Sequence, residues 1–232
     1  MTANWEHFAA GTIHVICSSH NDIAWFDTPA RTIEWRDEQA ITLALERMAV
    51  NPDVHFSMEN VLYLLEYLDR QPERKAEIHA LVRQKRFDWG ATYNQPYESL
   101  LSGEQLVRQM YLGKRLVESL LPETEARVYY SPDVPGRAMQ MPQILSKAGV
   151  PYMLISRHRP CVQRWQSPDG SSVIFWSMGH YYVASDHANQ PLEGTLDEAS
   201  DKVQSVLSHW SADYRQRGMP PDFAFLYSAD YI

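Results

Sequence analysis

A fold of parallel β-strands joined by crossover helices is predicted by two observations on this sequence of 232 residues. Short runs of β-branched and other apolar residues alternate with longer segments whose apolar residues recur at helical spacing. Turn-forming and helix-capping residues separate these segments, and no internal repeat or Gly/Ser linker divides the chain. Because strands that alternate with helices are connected by crossovers, they run parallel, and we predict an α/β sheet or barrel.

The first half of the chain contains three predicted strands with helices between them. Apolar runs predict these strands over residues 13–17, 54–58 and 87–92, the first of them as a buried strand. Ile41, Leu45 and Met48 lie on one helical face, and Asn51-Pro52 ends that helix because the residue before proline disfavours the α region. Further helices are predicted over residues 59–70 and 72–86.

The second half continues the alternation. Ser102 is the predicted N-cap of a long helix whose apolar stripe includes Leu106, Met110 and Val117. A Pro-Asp-Gly turn predicts a β-hairpin between residues 164–166 and 173–176. The other predictions are strands over residues 127–131, 152–156 and 223–227, and helices over residues 138–148 and within 196–217.

Charge and cysteine content exclude several classes of protein. Lys and Arg number 21 against 29 Asp and Glu, which gives a net charge of −8, and the basic residues form no long run. Binding to nucleic acid or to a membrane surface is therefore not expected. No apolar run approaches the ~18 residues of a transmembrane helix, and the start lacks a signal-peptide pattern. Cys17 and Cys161 form neither a metal motif nor a disulfide framework, so we predict a cytoplasmic protein.

Acidic residues and a histidine follow three of the predicted strands. His20 and Asp22 come directly after the first strand, Asp133 after the fourth and Asp230 after the last. The carboxyl ends of parallel strands meet at one edge, where the active sites of such folds gather. If the backbone is still extended at residues 20–22, alternation places His20 and Asp22 on one face, where both can bind one cation. A solvated polar loop is the alternative for any one of these motifs alone.

Four motifs follow one another in a specific order. They are His-Val-Ile-Cys-Ser-Ser-His-Asn-Asp-Ile-Ala-Trp at residues 14–25, a segment beginning Asn-Gln-Pro-Tyr-Glu-Ser at 94–109, Ser-Pro-Asp-Val-Pro-Gly at 131–136, and Leu-Ile-Ser-Arg at 154–157. Their order and spacing resemble the N-terminal catalytic domain of the glycoside hydrolase family 38 α-mannosidases, from about Thr12 onward. Ile23-Ala24 departs from the family's usual Pro-Gly, and Pro135 stands where many relatives carry an aromatic, so the wall around the sugar is expected to differ.

The resemblance implies a role for each candidate residue. A retaining glycosidase needs two carboxyls ~5–5.5 Å apart, one to attack the sugar and one to donate a proton to the leaving oxygen. The family pattern makes Asp133 the nucleophile and Asp230 the general acid/base. The implied Zn²⁺ ligands are His20, Asp22 and Asp133, and the residues implied or suggested to contact the sugar are Trp25, Arg157 and Tyr181.

These roles predict a zinc-dependent retaining α-mannosidase on a seven-stranded β/α barrel of the glycoside hydrolase and deacetylase type, with residues 1–232 as its N-terminal catalytic domain. The expected substrate is an α-mannoside or a mannose-containing oligosaccharide. The family's fourth zinc ligand, a histidine, is expected beyond Ile232, together with a helical bundle and β domains. We therefore expect an incomplete domain with poor activity of its own, whose uncovered surface favours self-association into a homo-oligomer.

Two other functions stay open at this point. A metal-dependent carbohydrate deacetylase also uses a His/Asp site on such a barrel, but it usually pairs two histidines at helical spacing, and no His-x-x-x-His occurs in this sequence. The second alternative is a noncatalytic carbohydrate-binding fragment. Zinc binding together with hydrolysis of an aryl α-mannoside separates the three functions.

Overall fold

The computed structural model describes residues 5–25, 27–158, 161–177 and 194–230, with the side chains of residues 228–230 left out. The chain forms two compact units. The larger contains Ser18–Tyr181 and Asp230–Ile232, and the smaller contains Met1–Cys17 and Tyr182–Ala229. The predicted α/β architecture with parallel strands is confirmed.

Among the described residues, six strands lie wholly in the larger unit and a seventh, β1, ends in it. They are β1 (Ile13–His20), β2 (Phe56–Met58), β3 (Phe87–Trp89), β4 (Val128–Ser131), β5 (Tyr152–Ile155), β6 (Cys161–Gln166) and β7 (Ser172–Ser177). β2 pairs in parallel with β1 and β3, β5 pairs in parallel with β4 and β7, and the predicted hairpin β6–β7 is antiparallel. The Ala91 N–H donates to the Val128 carbonyl at 2.9 Å and so joins the β3 end to β4. Because β1, β2, β4 and β5 run in parallel ladders, their carboxyl ends are the places to look for a site.

Helices connect these strands. Their bounds are α1 Pro29–Trp35, α2 Leu43–Val50, α3 Val61–Arg70, α4 Lys75–Arg83, α5 Gly103–Leu120 and α6 Met141–Lys147. The predicted N-cap of α5 is confirmed, since Ser102 and Gln105 form a capping box. Leu45, Leu64, Ile78 and Leu145, from four different helices, are completely buried. None of the described helices is long and apolar enough to cross a bilayer.

The first helical region differs from its prediction. Helix α1 already begins at Pro29, where the Thr28 side chain accepts from the Arg31 N–H. A π-helical segment, Arg36–Thr42, then leads into α2. The prediction from Ile41 onward was too late because helix α1 has little apolar periodicity and Thr32 is its one buried residue. Capping and the fixed backbone angle of proline, rather than an apolar stripe, start this helix.

The smaller unit contains the first part of β1, helix α7 (Leu196–Gln216) and all of strand β8 (Phe223–Asp230) except its last residue. Apolar side chains form a compact cluster there, called the aromatic cluster below: Phe8, Leu207, Trp210, Tyr214, Phe223 and Phe225. The rings of Phe8 and Tyr214 meet edge to face at 5.0 Å, and those of Phe223 and Phe225 at 5.1 Å. Leu207, Trp210 and Tyr214 come from α7, so this cluster buries one face of that helix.

Residues 13–17 form part of a strand, as predicted, but the prediction that this part of the strand is buried is wrong. Ile13 is 39% exposed and Val15 is 45% exposed, whereas Ser18, Ser19 and His20 are buried. β-Branched residues favour an extended backbone, but they do not determine which elements cover the strand. Burial begins where β2 lies alongside, at the pairing of Ser18 with Ser57.

Candidate active site

Three side chains of the types that can bind a metal ion meet at the carboxyl ends of β1 and β4. His20 is the last residue of β1, and Asp133 follows β4 by two residues. The His20 Nε2 atom lies 3.9 Å from Asp22 Oδ1 and 3.5 Å from Asp133 Oδ2. One possible ligand atom from each of the three residues lies within 4.8 Å of the other two. The structure thus brings His20, Asp22 and Asp133 together.

The geometry of these three side chains fits a divalent cation. Zinc binds histidine nitrogen and carboxylate oxygen at ~2.0–2.2 Å, which separates neighbouring ligand atoms in a tetrahedron by roughly 3.4 Å. The measured separations of 3.5 and 3.9 Å are close to that value. A buried imidazole with two carboxylates is a ligand set that zinc and other first-row metals use. Residues 20–22 are called the ligand segment below.

Asp133 is held by contacts from a neighbouring strand end. Arg157, two residues after β5, contacts the Asp133 carboxylate through both Nε and Nη2. Ser156 donates from its hydroxyl to the Pro132 carbonyl. Arg157 adopts a left-handed backbone conformation with φ of 54°, which is strained for a residue with a side chain. Burial raises the pKa of Asp133, but His20 and Arg157 outweigh it and hold the pKa below its ordinary value.

A buried carboxylate fixes the loop that carries Asp133. Glu98 has no exposed side-chain area, and it accepts from the Tyr129 hydroxyl at 2.8 Å and from the Ala138 N–H at 2.8 Å. Arg137 donates to the same carboxylate at 3.3 Å and also reaches Ser131. Burial raises the pKa of Glu98, partly offset by these donors. The sequence analysis missed Glu98, although it lies within the motif at residues 94–109.

A second buried carboxylate, Glu59, holds the ligand segment. It follows β2 directly and is completely buried. Its Oε1 lies 2.7 Å from His20 Nδ1, and its Oε2 accepts from the Asn21 N–H at 3.2 Å. Tyr63, in the first turn of α3, donates its hydroxyl to the Asn21 carbonyl. Both polar groups of the Asn21 backbone are therefore fixed by residues that follow β2.

The backbone near Glu59 is crowded on its other side. The Gly90 N–H donates to the Met58 carbonyl at 3.0 Å. A Cβ atom at position 90 would overlap the Glu59 carbonyl oxygen, so only glycine fits there. The sequence analysis did not identify Glu59, but its place at the end of the second predicted strand, level with His20, was the signal that could have found it.

Tyr63 is itself held from the π-helical segment. The Arg36 guanidinium lies 4.5 Å from the centre of the Tyr63 ring and pairs with Asp37 at 3.1 Å and with Glu66 at 2.9 Å. Burial raises the pKa of the Tyr63 hydroxyl well above its ordinary value, so this hydroxyl stays a donor. π-Helical turns are frequent at functional sites. Here the turn positions Arg36 against the tyrosine that holds the ligand segment.

A cavity of about 240 Å³ opens beside the three side chains. Its lining includes His20, Asp22, Asp133, Asn94, Gln95 and Tyr97. Amides and a phenol beside carboxylates are suited to hydrogen bonding with a polyhydroxylated ligand. Asn94 and Gln95 belong to the second of the four sequence motifs.

Of the remaining predicted site residues, Trp25 is the one whose side chain the structure describes. Trp25 is 72% exposed and is not among the described residues that line the cavity. Tyr181 and the side chain of Asp230 lie outside the described residues. Their roles stay predictions.

Comparison with known proteins agrees with the resemblance seen in the sequence. Residues 10–220 match the model of the glycosyl hydrolases family 38 N-terminal domain. A putative mannosylglycerate hydrolase of Halalkalibacterium halodurans is 29% identical over 190 residues, 74% of this chain and 21% of that protein. Alpha-mannosidase 2C1 of Homo sapiens is 24% identical over 225 residues, 93% of this chain and 20% of that protein.

A solved structure shares the fold. An alpha-mannosidase from Enterococcus faecalis superposes with a TM-score of 0.76 at 17% identity, over 94% of this chain and 25% of that one. The chain thus spans about a fifth of the length of the curated relatives it matches. Since the family match covers most of the chain, this protein belongs to glycosyl hydrolase family 38 and carries its N-terminal domain.

Proposed function

We propose that this chain is the catalytic N-terminal domain of a metal-dependent α-mannosidase. The observation that carries the proposal is the convergence of His20, Asp22 and Asp133 beside a polar cavity. Two of the similar proteins reported above are named alpha-mannosidases, and a third is named a putative mannosylglycerate hydrolase. The proposed substrate is a glycoside with terminal α-linked mannose.

The proposed metal is zinc, held by His20, Asp22 and Asp133. When bound, the zinc ion would act as a Lewis acid to which sugar hydroxyls can bind, and so would orient the sugar ring. Arg157 contacts the Asp133 carboxylate and favours its ionised form. Glu98 holds the loop on which Asp133 lies.

In the proposed reaction, Asp133 attacks the anomeric carbon as the bond to the leaving oxygen breaks. That oxygen takes a proton from Asp230, and a mannosyl ester forms on Asp133. Asp230 then removes a proton from water, which cleaves the ester and releases mannose with retained configuration. The lowered pKa of Asp133 supports its role as the group that is ionised before attack. Trp25 and Tyr181 are proposed sugar contacts.

A deacetylase is less well supported. The candidate metal group among the described residues contains one histidine, whereas the deacetylase chemistry considered above usually uses two. No observation on the described residues favours a purely noncatalytic carbohydrate-binding role. Cytoplasmic location and self-association stay predictions.

Trapping the glycosyl ester tests the proposal directly. The chain, loaded with zinc, is incubated with an activated fluorinated mannoside and digested for mass spectrometry. We expect one mannosyl adduct on the peptide containing Asp133, and slow release of aryl alcohol from an aryl α-mannoside. Mannosylglycerate is a second substrate, chosen because one relative is named for its hydrolysis.

The matched variants are Asp133→Ala and Asp169→Ala. Asp169 is a turn carboxylate that accepts from the Ser171 N–H and hydroxyl and pairs with Lys147 at 3.5 Å. The proposal predicts that the adduct and zinc binding are lost in the first variant and kept in the second. An adduct that persists in Asp133→Ala, or release of acetate from an N-acetylated sugar in place of mannoside hydrolysis, contradicts it.

A further inference from the structure

His20 has two ring nitrogens, and the structure gives them different surroundings. Nε2 faces the carboxylates of Asp22 and Asp133. Nδ1 faces Glu59 Oε1 at 2.7 Å. In the neutral ring, one nitrogen carries the proton and the other keeps a lone pair for a metal. The neighbour of Nδ1 therefore decides whether Nε2 is able to bind a cation.

Glu59 is placed to accept hydrogen bonds at both oxygens. The Asn21 N–H, which can only donate, meets Oε2 at 3.2 Å, and the imidazole meets Oε1. The carboxylate is completely buried, so water does not compete for either position. Its backbone is fixed as well, because the Gly90 strand end lies against the Glu59 carbonyl.

We propose that Glu59 is a positioning residue that holds the proton of His20 on Nδ1, so that Nε2 presents its lone pair to a divalent cation shared with Asp22 and Asp133. The same carboxylate fixes the direction of the Asn21 peptide, and with it the position of Asp22 one residue later. This inference rests on the proposed function for the identity of the cation, but the proton position is a property of the metal-free chain. Such carboxylate–histidine–metal arrangements orient the ring and raise its basicity as a ligand.

Glu59→Gln is an informative substitution because it keeps size and shape. The glutamine side chain has one carbonyl oxygen and one NH₂ group, whereas two donors, His20 Nδ1–H and Asn21 N–H, face its position. One donor must lose its acceptor or the ring must move its proton to Nε2. Glu77→Gln is the matched control, because it makes the same change of carboxylate to amide in a surface ion pair. Glu77 lies on α4 and accepts from Arg74 at 2.8 Å.

Two measurements test the proposal. Long-range ¹⁵N correlation spectra of the metal-free chain, recorded at a pH at which the His20 ring is neutral, report which of its two nitrogens is protonated. We expect Nδ1–H in the wild type and in Glu77→Gln, and a larger Nε2–H population in Glu59→Gln. Zinc titration against a competing chelator should give a Kd that rises about 10- to 100-fold in Glu59→Gln and is unchanged in Glu77→Gln.

The outcomes separate this inference from the proposed function. If the neutral His20 ring of the wild type carries its proton on Nε2, the proposed role of Glu59 is wrong. This measurement uses the wild-type chain alone and does not depend on whether a variant folds. Equal zinc Kd values for Glu59→Gln and the wild type overturn it also. If the proton position and Kd behave as expected but no mannosyl adduct forms, the positioning role is supported and the proposed hydrolase activity fails.

Discussion

Buried positions around the ligand segment hold His20, Glu59 and Asn60, whereas those of the aromatic cluster hold rings and a leucine. Burying apolar rings stabilises the fold directly, and each edge-to-face pair adds roughly 0.5–1.5 kcal/mol. Burying a carboxylate or an imidazole is unfavourable unless every polar atom finds a partner. The aromatic cluster therefore contributes mainly stability, whereas the residues around the ligand segment use hydrogen bonds to hold reactive groups in fixed positions.

The largest expected effect on stability comes from the aromatic cluster. Phe225 is 1% exposed, and Phe225→Ala should lower the free energy of unfolding by about 3–5 kcal/mol through lost burial and the cavity left behind. Denaturant unfolding measures the change. The zinc Kd of the folded variant should stay at the wild-type value, because this cluster contributes no candidate ligand. A zinc site that weakens in proportion to stability contradicts the division of roles.

Glu98→Gln should have an intermediate effect. An amide cannot accept from Tyr129, Arg137 and Ala138 as the carboxylate does, and an unsatisfied buried group costs about 1–3 kcal/mol. Because the folded state raises the pKa of Glu98, the folded chain binds this proton more tightly than the unfolded chain does. The stabilisation contributed by the Glu98 carboxyl is therefore present below its ordinary pKa of 4.5. It is lost as the pH rises through the raised pKa of the folded state.

Unfolding curves at several pH values test that sign. The stability advantage of the wild type over Glu98→Gln should shrink as the pH rises through this window. An advantage that grows over the same range contradicts burial as the dominant influence on Glu98. A zinc Kd that is higher in Glu98→Gln than in the wild type would show that Glu98 helps to position Asp133 through the loop that it holds.

Tyr63→Phe should have a smaller effect on stability and a selective effect on the site. Loss of the hydroxyl that donates to the Asn21 carbonyl should cost about 0.5–1.5 kcal/mol. The zinc Kd should also rise, by less than in Glu59→Gln, because the backbone of the ligand segment loses one support. Tyr67→Phe is the control, since Tyr67 lies on the same helix as Tyr63 and its hydroxyl meets Thr42 Oγ1, outside the ligand segment, at 2.9 Å. Equal zinc affinities in the two tyrosine variants contradict a special role for Tyr63.

The smallest expected effect is at the start of α7 in the smaller unit. The Thr195 N–H and hydroxyl, which donate to Glu198 at 2.8 and 2.9 Å, lower the pKa of that carboxyl. A lowered pKa means that the stabilisation is present above the ordinary value of 4.5 and is lost as the pH falls through the lowered value. Thermal unfolding of the wild type and Glu198→Ala should therefore converge in acid and differ at neutral pH. A difference in Tm between the two proteins that is constant over this pH range contradicts a stabilising contribution from the ionised Glu198 carboxylate.

Sequence patterns could predict the strands and the side chains at their ends, but not the contacts between them. His20 and Asp133 were identified because each follows an apolar run, and Ser102 because it precedes a helical stripe. Glu59 escaped notice because its importance depends on β2 pairing with β1. Its position after an apolar run is visible in the sequence, but nothing local distinguishes a buried carboxylate there from a solvated glutamate. Tertiary pairing, rather than local propensity, gives it a partner.

The π-helical segment has a consequence for how this chain is aligned and altered. Arg36–Thr42 contains buried residues in adjacent pairs, Arg36 with Asp37 and Ala40 with Ile41. A π-turn is equivalent to one residue inserted into an α-helix, and each residue of an α-helix turns the chain by about 100°. An alignment that runs ungapped through residues 29–50 against a relative with a regular α-helix will assign the inward side chains of one half incorrectly. Deleting one residue here would rotate the helix before the deletion by about 100° relative to the helix after it, so the contact of Arg36 with the Tyr63 ring and the burial of Leu45 could not both be kept.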